Sequence, residues 1–427
     1  MKRLKFPLAA FLLTILATTL VYLMTEMRHG LFSRPFSAKN YCVIAILISC
    51  SLYIHHKRSL QIPSYGKMLL TGAAGSPNRI VYMDWLRVLA ALFVICVHVM
   101  ESAYERLTPH TFSWEVLAFT ASLCLSCNLL FMMLSGALLL NGKDEPVWLF
   151  YKKRLSKVLI PCFAYYLFYR FYASGFSVLY PQNWKNLLRS FLMNDSGLTP
   201  HFWLVFVILM FYITAPFIKI MMKHMSDQML GALVAVIFCL HFFFTYAPYL
   251  NLGFAASTFL ASWESIFILG YFCTRKTSDR CYRLISWLGA LSVLVFLVTV
   301  HSFDDYGAVL YNNAPPMMFL SCSIFMFFKK HGCTWFAKIP AALSMVSKYS
   351  FSILLIHWLI LFEVVDKQLG INGLSFGIAG GTPLTILLTL ILSLAFSLFY
   401  DNTVVLCMDF LFQFVCSLPS RFKTASK

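Results

Sequence analysis

The chain has 427 residues, of which 60% are hydrophobic and only 12% charged, with a mean hydropathy of +0.75. A soluble globular protein carries about 25% charged residues, so the composition excludes that class and predicts an all-α integral membrane protein. The net charge of +17 would point to nucleic acid in a soluble protein. In a membrane protein the placement of the basic residues matters more than their sum, and no nucleic-acid partner is expected.

Apolar runs long enough to cross a bilayer recur from end to end. The N-terminus, MKRLKF followed by Pro7 to Met24, has the basic start of a signal peptide. Its apolar run is longer than a signal peptide needs and no A-x-A cleavage site follows, so an uncleaved first span is expected. A second span, Tyr41 to Ile54, ends in His55, His56, Lys57 and Arg58, and Gln61 to Asn78, with its Pro, Gly and Ser, reads as a linker. Ten further spans are predicted near 85–100, 118–140, 157–178, 202–222, 230–247, 253–273, 283–301, 313–328, 350–366 and 374–400. The expected architecture is a polytopic helical bundle of twelve spans. Residues 1–78 hold two extra spans and a linker, 79–400 a ten-helix core, and 401–427 a tail whose apolar stretch LCMDFLFQFVC is either an amphipathic surface helix or a continuation of the last span.

The basic residues test this topology. With the N-terminus in the cytoplasm, twenty-five of the 34 Lys and Arg fall on the inner side and seven on the outer, and the bias alternates loop by loop as the positive-inside rule requires. Both termini are then cytoplasmic. The thirteen cysteines lie mostly within apolar runs, which argues against a disulfide framework. The pair Cys124 and Cys127 reads as packing, since buried cysteine behaves as a small hydrophobe. No metal site is expected.

The stretch RIVYMDWLRVLAALFVICVH, Arg79 to His98, places Arg87 and His98 in an otherwise apolar helix. Eleven residues apart, they are separated by about 16 Å of rise with only about 20° of angular offset, so they share one helix face at two depths. Ionisable groups in a membrane helix are expensive and are functional candidates by default. Arg87 falls at the cytoplasmic mouth, where a guanidinium suits phosphate, and His98 near mid-membrane, where an imidazole can act as base, acid or nucleophile. Two structural alternatives stand beside this. Arg87 can reach the interface and pair with Asp84, one turn earlier, and His98 can be a hydrogen-bonded histidine of the bundle.

These residues resemble the first core helix of acyltransferase family three, integral-membrane enzymes that modify bacterial surface polysaccharides. Its signature is an Arg, ten residues and a His, often opening as D-x-L-R, here Asp84-Trp85-Leu86-Arg87 and then His98. Other segments resemble the family in order. FMMLSGALLL is similar to its F-F-x-x-S-G-x-L, through Ser135 and Gly136, and YKKRLSKVLIP to a basic loop closed by proline. HFWLVFVILMFYITAPF is similar to its H-x-W-F/L segment, and KYSFSILLIHWLI to a late S-x-x-x-Y-x-x-H helix. Three positions depart from the pattern: Leu129 stands for a common proline, Leu354 for a tyrosine and Ser352 for a glycine. Within the family the likeness leans toward the branch acting on enterobacterial common antigen.

The resemblance implies transfer of an acyl group, most simply acetyl from cytoplasmic acetyl-CoA, to a sugar hydroxyl of a lipid-linked or surface glycan in the bacterial inner membrane. Acyl-CoA is then a donor substrate, with no permanently bound cofactor. His98 would be base or transient acyl carrier, with Arg87, Lys152, Lys153 and Arg154 holding the phosphates of the donor. Glu101, one turn beyond His98, either orients the imidazole or faces water. Ser135 beside Gly136 is read first as a close-packing pair and second as a donor contact. On the acceptor side stand His201 and Trp203, whose ring is equally an interfacial anchor, with His357 and Glu264. For Glu264 the structural alternative is an ion pair, for example with Arg170. His241 and His301 match nothing in the family pattern. The rival reading is a transporter or exporter of a glycan precursor or acyl group, since intramembrane charges also mark substrate paths. No Walker loop or H-E-x-x-H occurs in the sequence.

Overall fold

A computed structural model describes residues 38–72, 79–193, 197, 199–252, 258–303, 307, 310 and 313–425. The first predicted span, Pro7 to Met24, lies outside them. Among the described residues the chain is helical, with no strand. The principal helices are α1 (Ala38–Gln61), α2 (Tyr65–Thr71), α3 (Val81–Tyr104), α4 (Phe112–Cys124), α5 (Ser126–Leu140), α6 (Val147–Ser174), α7 (Pro181–Leu192) and α8 (Trp203–His224). They continue with α9 (Asp227–Tyr246), α10 (Trp263–Thr274), α11 (Lys276–Arg280), α12 (Tyr282–Ser302), α13 (Pro315–Lys330), α14 (Ala341–Leu359), α15 (Ile378–Tyr400) and α16 (Leu406–Ala425).

Seven helical stretches among the described residues are long and apolar enough to cross a membrane: Val81–Tyr104, Phe112–Leu140, Pro200–His224, Asp227–Leu250, Tyr282–Ser302, Ala341–Asp366 and Ile378–Ser417. The chain is therefore a polytopic membrane protein. Four other predicted spans appear as α1, α6, α10 and α13, but in different form. Lys152, Lys153, Arg154 and Lys157 sit in the first part of α6, which shortens its apolar portion. With 12 and 16 residues, α10 and α13 are short of the roughly 20 that a straight crossing needs. Helix α10 is buried continuously from Ser265 to Cys273, and a helix that is apolar on every side belongs inside a bundle.

The predicted span 118–140 is interrupted at Leu125, where the Asn128 amide bonds to the carbonyl three residues back, a locally tightened turn. The loop predicted after the third core span contains α7, started by Pro181 at its first turn, where a missing N–H is harmless. The tail is helical without a break from α15: a π-helical turn over Asp401–Val405 joins α15 directly to α16.

The chain forms two compact units, one of residues 1–72, 154–202 and 395–427, the other of 73–153 and 203–394. In the first, the Tyr65 hydroxyl donates to His55 Nδ1 and His55 Nε2 donates to the Asn402 carbonyl, each at 2.8 Å. Ile54, Leu406 and Cys407 pack with Leu47. Tyr165 donates to Asp401 at 2.9 Å and Tyr400 to the Ala164 carbonyl at 2.8 Å.

In the second unit α3 packs against α4, α5, α13 and α14, and α5 against α8 and α10. The closest approach is between α5 and α10. A Cβ on Gly136 would run into the Phe267 carbonyl, and one on Gly270 into the Met133 carbonyl. The two glycines therefore let the backbones touch, as small residues do in membrane bundles.

Candidate functional site

Helix α3 opens with Asp84 in its first turn, where a carboxylate complements the positive end of the helix dipole. Asp84 is only 5% exposed, and a buried charge is tolerable only when paired and hydrogen-bonded. It accepts from Arg79 Nε at 2.6 Å, from Arg87 Nη1 at 2.6 Å and from the Ser347 hydroxyl of α14 at 2.8 Å. Arg79 Nη2 also donates to the Ser344 hydroxyl at 2.6 Å. Arg87 thus makes the pair that one structural alternative anticipates, but with a single nitrogen. Its side chain is 30% exposed, and Nε and Nη2 make no hydrogen bond among the described residues. The clamp fixes the guanidinium and leaves an anion-binding edge open.

Eleven residues on, His98 Nδ1 lies 3.3 Å from Glu101 Oε2. Facing a carboxylate, this nitrogen carries the proton and donates, which leaves Nε2 with its lone pair. The His98 side chain is 23% exposed and that of Glu101 27%, so both are half-buried and reachable. The His98 ring stacks on His357, with centroids 5.3 Å apart and planes at 19°, and meets the edge of Trp358 at 5.0 Å. His357 is fully buried. Its Nδ1 donates to the Leu354 carbonyl at 2.8 Å, which fixes the tautomer. Trp358 in turn packs on Phe362 at 4.5 Å, within a π-helical turn over Ile360–Asp366. Such turns recur at functional sites.

The structure therefore brings His98, Glu101 and His357 together through α3 and α14, with Arg87 about 16 Å away near the start of α3. The other sequence candidates lie elsewhere. Ser135 donates to its own helix, to the Phe131 carbonyl at 2.9 Å, while its neighbour Gly136 makes the close packing. Lys153 pairs with Glu145 at 2.8 Å and Lys152 is half-buried at the start of α6. Arg154 and His201 belong to the other compact unit. There His201 is buried against Tyr169 and Phe202. Trp203 packs on Trp263, centroids 5.3 Å apart. Next to Trp263, Glu264 accepts from the Ser262 hydroxyl at 2.5 Å in the first turn of α10. His241 bonds Ser265 at 2.7 Å and His301 bonds Glu115 at 2.9 Å.

Sequence reasoning did not single out Trp358, Ser344 or Ser347. Trp358 had one available signal: it follows His357 directly, and adjacent helical residues about 100° apart can border the same neighbour. The two serines carried none, because their partners Asp84 and Arg79 lie far away in sequence.

The site has the parts of acyl-transfer chemistry: an oriented imidazole with a free lone pair and, nearer the start of the same helix, a fixed guanidinium. Fold and site define a polytopic membrane protein built around one histidine-bearing helix. A family model described as an acyltransferase domain matches residues 80–401, three quarters of the chain, and the chain belongs to acyltransferase family 3. It is an acyltransferase of a family that generally acts on carbohydrates. Neither the curated proteins nor the solved structures compared with it contain a match.

Proposed function

We propose that this protein transfers an acetyl group from acetyl-CoA, presented at the cytoplasmic face, to a sugar hydroxyl of a lipid-linked or surface polysaccharide in the bacterial inner membrane. The observation that carries the proposal is the His98 imidazole, held through Nδ1 by Glu101 with Nε2 open and stacked on His357. In this reading Nε2 takes the proton of the sugar hydroxyl as the oxygen attacks the thioester carbonyl. A C–O bond forms, the C–S bond breaks, and the leaving thiolate recovers the proton from His98. Arg87, with its free edge, and Lys152 and Lys153 at the start of α6 suit the donor's phosphates. Arg154 continues that basic run. His201, Trp203, Glu264 and His357 are the acceptor-side candidates, and the distribution of basic residues supports cytoplasmic termini.

The test is acyl transfer from labelled acetyl-CoA by the purified protein, with glycan acceptor, for wild type, His98→Ala and Arg87→Ala. The expected result is loss of roughly 10²–10⁴-fold for His98→Ala, the size of a general-base contribution. Undiminished transfer by both variants would overturn the site. Label retained on the wild-type protein in the absence of acceptor distinguishes an acyl-carrier His98 from a base.

A further inference from the structure

In the second unit, helix α15 carries three hydroxyls at a spacing of four: Thr385, Thr389 and Ser393. Their relative exposures are 1%, 0% and 0%. None of the three oxygens has a hydrogen-bond partner among the described residues. Elsewhere the chain handles helical hydroxyls differently. Ser122, Ser292, Thr299 and Thr403 each donate to the carbonyl four residues back, which is how such side chains are ordinarily satisfied in a membrane helix. Ser126 and Ser321 are also left without a partner, but singly. Among the described residues, only on α15 do such hydroxyls follow one another along a ridge, about 12 Å from first to last at 1.5 Å per residue. Leu387 and Ile391 of the same helix are about half exposed, so the helix has a separate apolar side for lipid.

The upper end of this ridge is tied to the active helix. Thr382, one turn before Thr385, donates to the Gly373 carbonyl at 2.9 Å. At Gly373 a Cβ would meet Ala103 Cβ at 2.8 Å and the Val99 carbonyl at 3.2 Å. Val99 and Ala103 flank Glu101 and follow His98 on α3. The ridge therefore starts at the level of the imidazole. It runs toward the C-terminal end of α15, the end that the loop charges place in the cytoplasm.

Buried hydroxyls without partners are unfavourable, and a native structure keeps them where something else supplies the missing bonds. From these observations we infer that the α15 ridge is the binding track for the pantetheine arm of the acyl-CoA donor. This inference rests on the donor assigned under Proposed function. The arm is a neutral chain whose amides and hydroxyl present donors and acceptors at intervals, and a ladder of hydroxyls, each able to donate and accept, matches that chemistry without requiring charge. Its thioester end would then lie level with His98 and its phosphates at the basic cytoplasmic mouth. The ridge is closed over in this structure, so the arm enters as the groups covering it part, and the hydrogen bonds gained offset that opening.

The test is binding of coenzyme A and of 3′,5′-adenosine bisphosphate, its nucleotide end without the arm, to the full-length protein in nanodiscs. Wild type is compared with the isosteric double variant Thr389→Val/Ser393→Ala, with melting temperatures measured in parallel. The track is supported if coenzyme A binds about 10-fold more weakly to the variant, the effect of two lost hydrogen bonds, with bisphosphate affinity and melting temperature not lowered. Equal coenzyme A affinity in both proteins overturns it. So does equal weakening of both ligands, or a fall in melting temperature, since either makes the hydroxyls structural. Wild type that binds neither ligand overturns the donor assignment itself, a result distinct from the others, and the track falls with it.

Discussion

The rings of His98 and His357 lie face to face, 5.3 Å apart and within 19° of parallel, although 259 positions separate them in the chain. His357 is pinned by its bond to the Leu354 carbonyl and gives His98 a rigid wall on one side, with the edge of Trp358 on another. A stacked aromatic pair contributes about 0.5–1.5 kcal/mol beyond its buried area. If His357 acts as a wall, His357→Phe keeps transfer within about a factor of three of wild type, because the flat ring remains. His357→Ala is expected to lose about 10-fold and to melt earlier. Initial rates and melting curves for the pair check this. Equal loss in both variants would assign the imidazole nitrogens a direct role.

On the proposed function Glu101 acts on the reaction through His98. The Nδ1 contact leaves Nε2 as the nitrogen that would serve as base, and a hydrogen bond to a charged partner is worth roughly 1.5–3 kcal/mol. Glu101→Gln is expected to lower kcat by about 10–100-fold while leaving donor KM nearly unchanged. The same loss appearing in KM alone would place Glu101 in substrate binding. Steady-state rates across donor concentrations separate the two.

Much of this centre was legible in the sequence, for a physical reason. The positions of Arg87 and His98 depend only on helical periodicity and on the expense of charge in a membrane helix, both local properties. Asp84 was legible too, one turn before Arg87. Contacts brought from α14 were not: Ser347 on Asp84 and Trp358 on His98 are set by tertiary packing, to which periodicity is blind. The bounds of α10 were missed for a related cause. An apolar run over 253–273 fixes burial but not where the helix begins, and the helix starts only at Trp263. Helix α7 did carry signals, Pro181 and the Leu187/Phe191 spacing, but it falls between the predicted spans 157–178 and 202–222 and is not apolar enough to register as one.

Asp84 holds Arg79 and Arg87 at once. Removing one member of a buried ion cluster leaves uncompensated charge, at about 3–5 kcal/mol. Asp84→Ala is therefore expected to lower the melting temperature sharply. Asp84→Asn keeps the shape and one acceptor, so it should fold, with a raised donor KM and a smaller effect on kcat, because the guanidinium is no longer fixed. A normal donor KM in folded Asp84→Asn would show that Arg87 needs no clamp.

Substitutions at the neighbouring residues 135 and 136 are expected to differ sharply in cost. Gly136→Ala drives a methyl into the Phe267 carbonyl, and because backbone cannot rotate aside, the α5–α10 contact must open. Overpacking costs about 1–3 kcal/mol or more. Ser135→Ala removes only a hydroxyl bonded to its own helix, which is worth about 1 kcal/mol or less. Melting temperatures of the two variants check the order. A silent Gly136→Ala would mean that the two helices do not meet through this face.

Asp144 lies in the loop after α5, between Lys219 at 3.0 Å and Lys223 at 2.6 Å. Lys223 and then Lys219 hold its carboxyl down at about 2, below the usual value near 3.9. A carboxylate depressed by folding stabilises the folded state above its unfolded pKa, and that contribution disappears as pH falls through the folded value. The window for Asp144 is therefore from about pH 4 down to about pH 2. The pair is exposed, so its contribution is small and screened by salt. Wild type is expected to melt slightly above Asp144→Asn at neutral pH and low salt. The gap should narrow as the pH approaches 2, and should also narrow at neutral pH in high salt. A gap that stays constant across both titrations would show that the loop is held by bonds to its main chain, such as the one from Lys219 Nζ to the Lys143 carbonyl, and not by this carboxylate.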